Sequence, residues 1–517
     1  MNRRLSITVA LSLAANVASA QALRYSVDLG DRANHMFAVT LRLDSMGRGN
    51  DVLAFAATAP GTYQVMDIGR FVHDLRAFDG RGRPLATERV STNQWKVADP
   101  QAVREFRYSV EETWGTKIKE HKMYPMTGTA LRDSFALLNA QALFGIPKGM
   151  QAASVGVQLK YPADWQRATA MRDSSGVLLA ENYDRLVDSP ILVGRLTQAR
   201  LEVTGVPVEI YSYSPTGKVT STDLMESMRG MLTAAGAFLG KLPVDRYVFL
   251  FAFDIPPRGV PTPYGAWEHS YSSEYVLPEA PFTPAFGATV TNIAAHEFFH
   301  VVTPLNLHSE IIEHFNFDTP IPSRHLWLYE GLTEWAAHKM QLESGRQTVP
   351  EYLATVVQKH RNDRENYDTT YSLTKLAMTS YSDSGQRQYP TIYQKGAVIA
   401  GLLDLKLLEL SDGRTGLKDL IHSLTERYGK QRPFPEDSLI DVIVEATSPE
   451  VRDFFTRYVD GAESPPIAEY YAKIGVNATF DSKGRLSGLA AAEHPTEAQL
   501  RLRNAWLGAA AGKAYVP

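Results

Sequence analysis

From about residue 21 to 203 the chain alternates short strand-type runs with Gly- and Asp-containing turns. Arg24-Tyr25-Ser26-Val27-Asp28-Leu29 and Met36-Phe37-Ala38-Val39-Thr40-Leu41-Arg42-Leu43 are such runs, and Asp79-Gly80 and Asp173-Ser174-Ser175-Gly176 punctuate others. Apolar and polar side chains recurring with a period of two predict half-buried strands, here an N-terminal antiparallel β domain built as a sandwich or saddle. From about 204 to 345 strand patterns give way to helical ones. Tyr247–Phe253 is a continuous aromatic and β-branched run, read as a buried strand, and is followed by the Pro- and Gly-rich loop Pro256–Pro263. Gly265-Ala266-Trp267-Glu268-His269 is read as an edge strand. From 346 to 517 the pattern is helical. Thr348-Val349-Pro350-Glu351 is a capping box with proline near the first turn, and Ser448-Pro449-Glu450 starts a further helix in a similar way. The run Gly508–Gly512 reads as a helix end or tail, and the chain shows no internal repeat or low-complexity linker. The fold class expected is multidomain α+β, with a β domain, a mixed catalytic unit and a C-terminal α-helical domain.

Within the middle segment, Thr289–Ala295 carries no Gly or Pro and keeps its apolar residues to one side, so it predicts a helix that runs into His296-Glu297-Phe298-Phe299-His300. Positions four apart are one helical turn apart, so the two imidazoles stack on one face. That geometry suits two of three protein ligands of a catalytic zinc, with Glu297 placed to act as base on the attacking water. With 13 His in 517 residues, such a pentapeptide arises by chance in roughly a few per cent of chains, so context decides.

The context is Leu326-Trp327-Leu328-Tyr329-Glu330-Gly331-Leu332-Thr333-Glu334, a second helical stretch running through Met340 and stopping near Gly345. Glu330 supplies the carboxylate that completes a His/His/Glu sphere with one open position. Glu334, one turn on, is placed to accept the second N–H of a ligand imidazole and fix its tautomer. Two further groups fit an exopeptidase. An edge strand can hydrogen-bond a peptide as an added strand, and Glu268 on it can hold a free α-ammonium group. Tyr393, in Tyr393-Gln394-Lys395-Gly396-Ala397 at the start of an apolar helix ending near Ser411–Gly413, can donate to the oxyanion of a tetrahedral intermediate.

In that order, G-A-x-E, H-E-x-x-H, E-G-x-T and Y-x-K-G resemble the gluzincin aminopeptidases, and the glycyl aminopeptidase family more than the aminopeptidase N family. Ala59-Pro60-Gly61-Thr62-Tyr63 is similar to that family's P-G-S-Y motif, and Leu186-Val187-Asp188-Ser189-Pro190 to its L-V-D-S-P junction. Phe455–Gly461 and Tyr471–Gly475 resemble its closing helical motifs, so the likeness runs over roughly residues 24 to 476. It implies a thermolysin-like catalytic domain with one Zn2+ bound by His296, His300 and Glu330. It further implies Glu297 as base and acid, Glu268 with Gly265 and Ala266 in substrate binding, Tyr393 as oxyanion donor, and a preference for N-terminal Gly or Ala. Two departures stand out. Many members continue after the second histidine with a basic L-W-N-x-K-R segment, where this chain has Val301–His308. Members commonly end in a PDZ domain, for which the stretch after Gly475 is too short.

Composition adds location. Met1-Asn2-Arg3-Arg4, the apolar run Leu5–Val17 and Ala18-Ser19-Ala20 read as a cleaved signal peptide over residues 1–20. The run is too short for the roughly 20 residues of a spanning helix. A periplasmic or secreted bacterial protein without a membrane span in its mature form is expected. The absence of cysteine excludes disulfides and thiolate metal sites. A net charge of −4 and no basic tract argue against a nucleic-acid partner. The expected partners are peptides with a free N-terminus. The competing readings are a zinc endopeptidase, against which Glu268 argues, and a non-catalytic peptide-binding protein on a protease fold. Zinc is the expected ion, and cobalt or manganese also suit two His and one carboxylate.

Overall fold

The computed structural model describes residues 22–46, 49–255 and 264–508. The signal-peptide segment 1–20, the loop Pro256–Pro263 and the run after Gly508 lie outside the described residues. The N-terminal region is β-rich: an eight-stranded sheet accompanied by two four-stranded sheets. Leu23–Asp28 shows the expected period of two, with Leu23, Tyr25 and Val27 buried and Arg24 exposed. The expectation of a purely antiparallel domain is corrected here. Leu23–Asp28 runs antiparallel to Met36–Arg42 on one side but parallel to Val155–Lys160 on the other. Alternation reports which face is buried and carries no information on the direction of a partner distant in sequence.

A five-stranded sheet follows, ordered Thr197–Val203, Val206–Tyr213, Tyr247–Asp254, Ser272–Pro278, Gly265–His269. Its outer strand Thr197–Val203 pairs with Val206–Tyr213 and belongs to this sheet. Both strands alternate alike, and the partner alone assigns Thr197–Val203 to this sheet. Tyr247–Asp254 explains its own sequence. Val248, Leu250 and Ala252 pack on Phe135, Leu137 and Leu192 of the N-terminal region, while Tyr247, Phe249, Phe251 and Phe253 face the helices. A strand covered on both faces reads as an uninterrupted apolar run. Among the described strands Gly265–His269 is the edge strand, as its sequence indicates, paired only with Ser272–Pro278, with Glu268 opposite Ser273.

The remainder is mainly helical. Thr348 and Glu351 form the expected capping box on Val349–Asn366. This helical region also carries a hairpin that the sequence reading did not include, Val476–Phe480 with Leu486–Ala491, whose turn places Gly484 at φ 72°. The terminal helix Glu497–Leu507 docks through Trp506, whose carbonyl accepts from the buried Lys339 ammonium. Among the described residues no helix is long and apolar enough to cross a membrane. The whole is a multidomain α+β protein with an N-terminal β-rich part and a helical C-terminal region.

Candidate active site

The histidine helix, Pro284–Phe299, starts at an N-cap where the Thr283 hydroxyl accepts from the Phe286 N–H, with proline in the first turn. Phe298 packs edge-on against Tyr247 at 5.0 Å, and Phe299 against Phe238 at 5.5 Å. These aromatics seat the helix against the sheet and against the helix Ser221–Leu239, and His296, Glu297 and His300 are buried, only 7%, 7% and 1% exposed.

Glu330 lies in a π-helical turn, Trp327–Gly331, that continues into the helix Leu332–Glu343. A second π turn, Ile392–Gly396, carries Tyr393 and leads into Ala397–Leu410. The two turns meet glycine to glycine: a Cβ at Gly331 would stand 2.8 Å from the Gly396 backbone. Only hydrogen fits there, which accounts for the glycine one residue after Glu330 and three after Tyr393. π turns are frequent at functional sites, where the extra residue rotates a side chain out of helical register.

Three atoms converge. His296 Nε2 lies 3.2 Å from His300 Nε2 and 3.3 Å from Glu330 Oε2, and His300 Nε2 lies 3.7 Å from Glu330 Oε2. Ligands about 2.0–2.1 Å from a tetrahedral zinc sit roughly 3.4 Å apart, so the triangle fits that ion. The outward nitrogens have partners suited to the same role. His296 Nδ1–H donates to Glu334 Oε2 at 2.7 Å, and His300 Nδ1–H to the Thr303 carbonyl at 3.0 Å. Glu334 is itself held by Lys359 Nζ at 2.5 Å and His338 Nε2 at 3.3 Å. Lys359 also donates to the Tyr393 carbonyl at 3.1 Å, tying the helix that carries Glu334 to the second π turn. Donor atoms of Glu268, Glu297 and His300 form a second group within 4.8 Å of one another. The first triangle is tighter and contains both imidazoles, which leaves Glu268 and Glu297 as carboxylates beside it.

The electrostatics agree. Burial, joined by the charges of Glu330 and Glu334 and opposed by His296, pushes the Glu297 carboxyl up to about 8. Burial and the nearby Glu330 and Glu297 raise Glu268 well above the carboxylate range. Burial lowers His300 to about 4, which keeps it a neutral ligand. Burial also opposes charge on His296, but its hydrogen bonds to the Glu330 and Glu334 carboxylates override it and hold its pKa well above the usual value. A dry site with this many carboxylates calls for positive charge at the triangle.

The site residues expected from sequence are thus brought together. The Tyr393 ring lies 5.3 Å from His296. Glu268 is 8% exposed, and Gly265 and Ala266 are half-buried at the start of the edge strand. A cleft of about 1330 Å³ opens beside Glu268, lined by Gly61, Tyr63, Trp267, Leu305 and His308 among others. The departing segment Val301–His308 therefore forms one of its walls. Sequence reasoning missed Tyr389, whose hydroxyl donates to Glu330 Oε1 at 3.3 Å, and Lys359. The signal for Tyr389 was its place one turn before Tyr393; Lys359, on a separate helix, offered none.

The fold and this site are those of a metallopeptidase, and the family match names its class: the chain is an aminopeptidase, a hydrolase of peptide bonds. The M61 peptidase N-terminal domain matches over residues 24–195 and the M61 glycyl aminopeptidase over 289–399. The chain belongs to the M61 glycyl aminopeptidase family. Among solved structures it is similar to an aminopeptidase N family protein from Idiomarina loihiensis, at 21% identity and TM-score 0.77, covering 92% of this chain and 82% of that one. It is also similar to an M1 zinc metallopeptidase from Deinococcus radiodurans, a mutant bound to Tyr-Ser-Ala, at 13% identity and TM-score 0.52, covering 87% and 95%. These likenesses show the fold. No curated protein matches the chain.

Proposed function

We propose that this protein is an exported zinc aminopeptidase that removes small N-terminal residues, Gly or Ala, from peptides. The observation that carries it is the juxtaposition, in one buried cluster, of the His296–His300–Glu330 triangle, the carboxylate of Glu297 and the carboxylate of Glu268 on an edge strand. His296, His300 and Glu330 would hold one zinc per chain, which would supply Lewis-acid chemistry toward the scissile carbonyl and the attacking water. The open edge Gly265–His269 pairs with the substrate backbone, and Glu268 holds its α-ammonium group. Glu297 takes the proton of the attacking water and delivers it to the leaving amine. Tyr393 donates to the developing oxyanion, and Glu334 fixes the tautomer of His296. We read the sheet with its two zinc helices as a thermolysin-like catalytic domain.

The test is hydrolysis of glycyl- and alanyl-arylamides beside their N-acetylated forms. Cleavage of the free-amine substrates alone is expected. One observation favours a second reading, a zinc endopeptidase: the cleft extends past Glu268 to Tyr271 and Lys430, leaving room for residues before the scissile bond. Cleavage of the blocked substrates would establish that reading instead. Silence on all substrates with zinc bound would point to a peptide-binding protein.

Replacing Tyr393 by Phe is expected to lower kcat by about 10²–10³ with zinc content and KM nearly unchanged. A normal rate would remove Tyr393 from the oxyanion role and leave Tyr389 as the donor to examine. For the export assignment, the protein recovered from a periplasmic fraction is expected to begin at Gln21. Recovery with Met1 intact would refute cleavage.

A further inference from the structure

The two N-terminal motifs Ala59–Tyr63 and Leu186–Pro190 have no part in the chemistry above, yet both end on the edge strand, at the residues flanking Glu268. On one side Trp267 Nε1 donates to the Pro60 carbonyl at 3.2 Å. Gly61 follows at φ 73°, and a Cβ built there would lie 2.4 Å from Glu268 Oε1 and 2.8 Å from Trp267 Nε1. The Glu268 carboxylate thus rests against the Gly61 backbone, where any side chain would push it aside and where φ 73° favours glycine. Tyr63 is also left-handed, at φ 47°, and packs on Tyr389 at 5.3 Å. Positive φ at a bulky residue is sustained only where surrounding structure imposes it, and such strain gathers at functional sites.

On the other side the Ser270 N–H donates to Asp188 Oδ1 at 2.8 Å. Asp188 Oδ2 accepts from Arg185 Nη1 at 3.0 Å, and Asp188 Oδ1 lies 3.6 Å from His269 Nδ1. The His269 ring in turn packs on Trp267 at 4.5 Å, joining the two contacts. Among the described strands, the sheet holds this strand along one edge only. Its position along that open side is therefore fixed from outside the sheet.

We propose that Gly61 and Asp188 are positioning residues that hold Glu268 for a substrate's free α-ammonium group, so that the N-terminal domain sets the amine selectivity of a site whose metal ligands it does not supply. This rests on the reading of Glu268 as the amine anchor. Gly61→Ala displaces the Glu268 carboxylate. Asp188→Ala frees the end of the strand, whereas Asp188→Asn keeps an acceptor oxygen for the Ser270 N–H.

The experiment measures kcat and KM for alanyl-arylamide, the ratio of free-amine to N-acetylated cleavage, and zinc content, in these variants and in Glu268→Ala. Gly61→Ala and Asp188→Ala are expected to raise KM about tenfold and to lower the ratio by a similar factor, with zinc retained and Asp188→Asn close to the parent. A purely structural role would lower the active fraction, and so kcat, with KM and the ratio intact. If Glu268→Ala destroys the ratio while Gly61→Ala and Asp188→Ala leave KM and ratio unchanged, the proposal is overturned and the anchor stands. If Glu268→Ala preserves the ratio, the anchor reading itself fails and the proposal falls with it. Should Gly61→Ala not fold, the Asp188 pair decides alone.

Discussion

Replacing Glu297 by Gln is expected to lower turnover of alanyl-arylamides by about 10²–10⁴-fold while leaving zinc content at the parent value. Glutamine fills the same volume and still accepts a hydrogen bond, but it cannot take up a proton. The prediction separates two roles that the geometry keeps apart. Glu297 stands outside the His296–His300–Glu330 triangle, whose sides are 3.2, 3.3 and 3.7 Å, so the substitution removes no member of it. Its burial raises the carboxyl to about 8, a position from which it can both accept and release a proton near neutral pH. Zinc assay together with kinetics on one preparation checks this. A rate within tenfold of the parent would show that another group moves the proton, and loss of zinc would show that Glu297 supports the ligand set.

Much of this site was legible because its parts obey local rules. Spacing by one turn places His296 over His300 and Glu330 near Glu334 whatever the rest of the chain does. The edge strand announced itself by lying just beyond a fully apolar run, and the end of Leu332–Glu343 by Gly345 at φ 74°. What stayed hidden depends on partners remote in sequence. Thr197–Val203 alternates like the strands before it, and only pairing with Val206–Tyr213 assigns it to the five-stranded sheet. The parallel match of Leu23–Asp28 with Val155–Lys160 is of the same kind. The hairpin Val476–Ala491 had a local signal, an Asp481–Gly484 turn between alternating runs, masked by the helical stretches around it. Lys359 and Asp188 are ordinary charged residues until folding brings them to Glu334 and Ser270. The glycines after Glu330 and Tyr393 looked like separate features, and their reason is mutual contact.

Removing the metal is expected to abolish activity and also to weaken the fold locally, with stoichiometric zinc restoring both. Glu268, Glu297, Glu330 and Glu334 are clustered and nearly inaccessible, apart from the partly buried Glu334. Without a cation, that concentration of carboxylates is balanced by Lys359 and by protons on the cluster, which is why His296 is held well above its ordinary pKa. Metal ligation requires a neutral His296, so zinc uptake releases that proton, and affinity should rise with pH through the range in which His296 titrates. At zinc a thousandfold above its Kd, binding to the native state alone contributes about 4 kcal/mol. The apo protein should therefore unfold at a lower temperature than the zinc form, and Glu330→Ala should behave as the apo protein does while failing to regain zinc. Calorimetry with and without chelator, and metal analysis after dialysis, measure both effects. Full activity after exhaustive chelation would refute the metal assignment. Reactivation by cobalt or manganese as well as by zinc would keep the triangle as the metal site, because two imidazoles and one carboxylate accept each of these ions and leave the open position to the substrate.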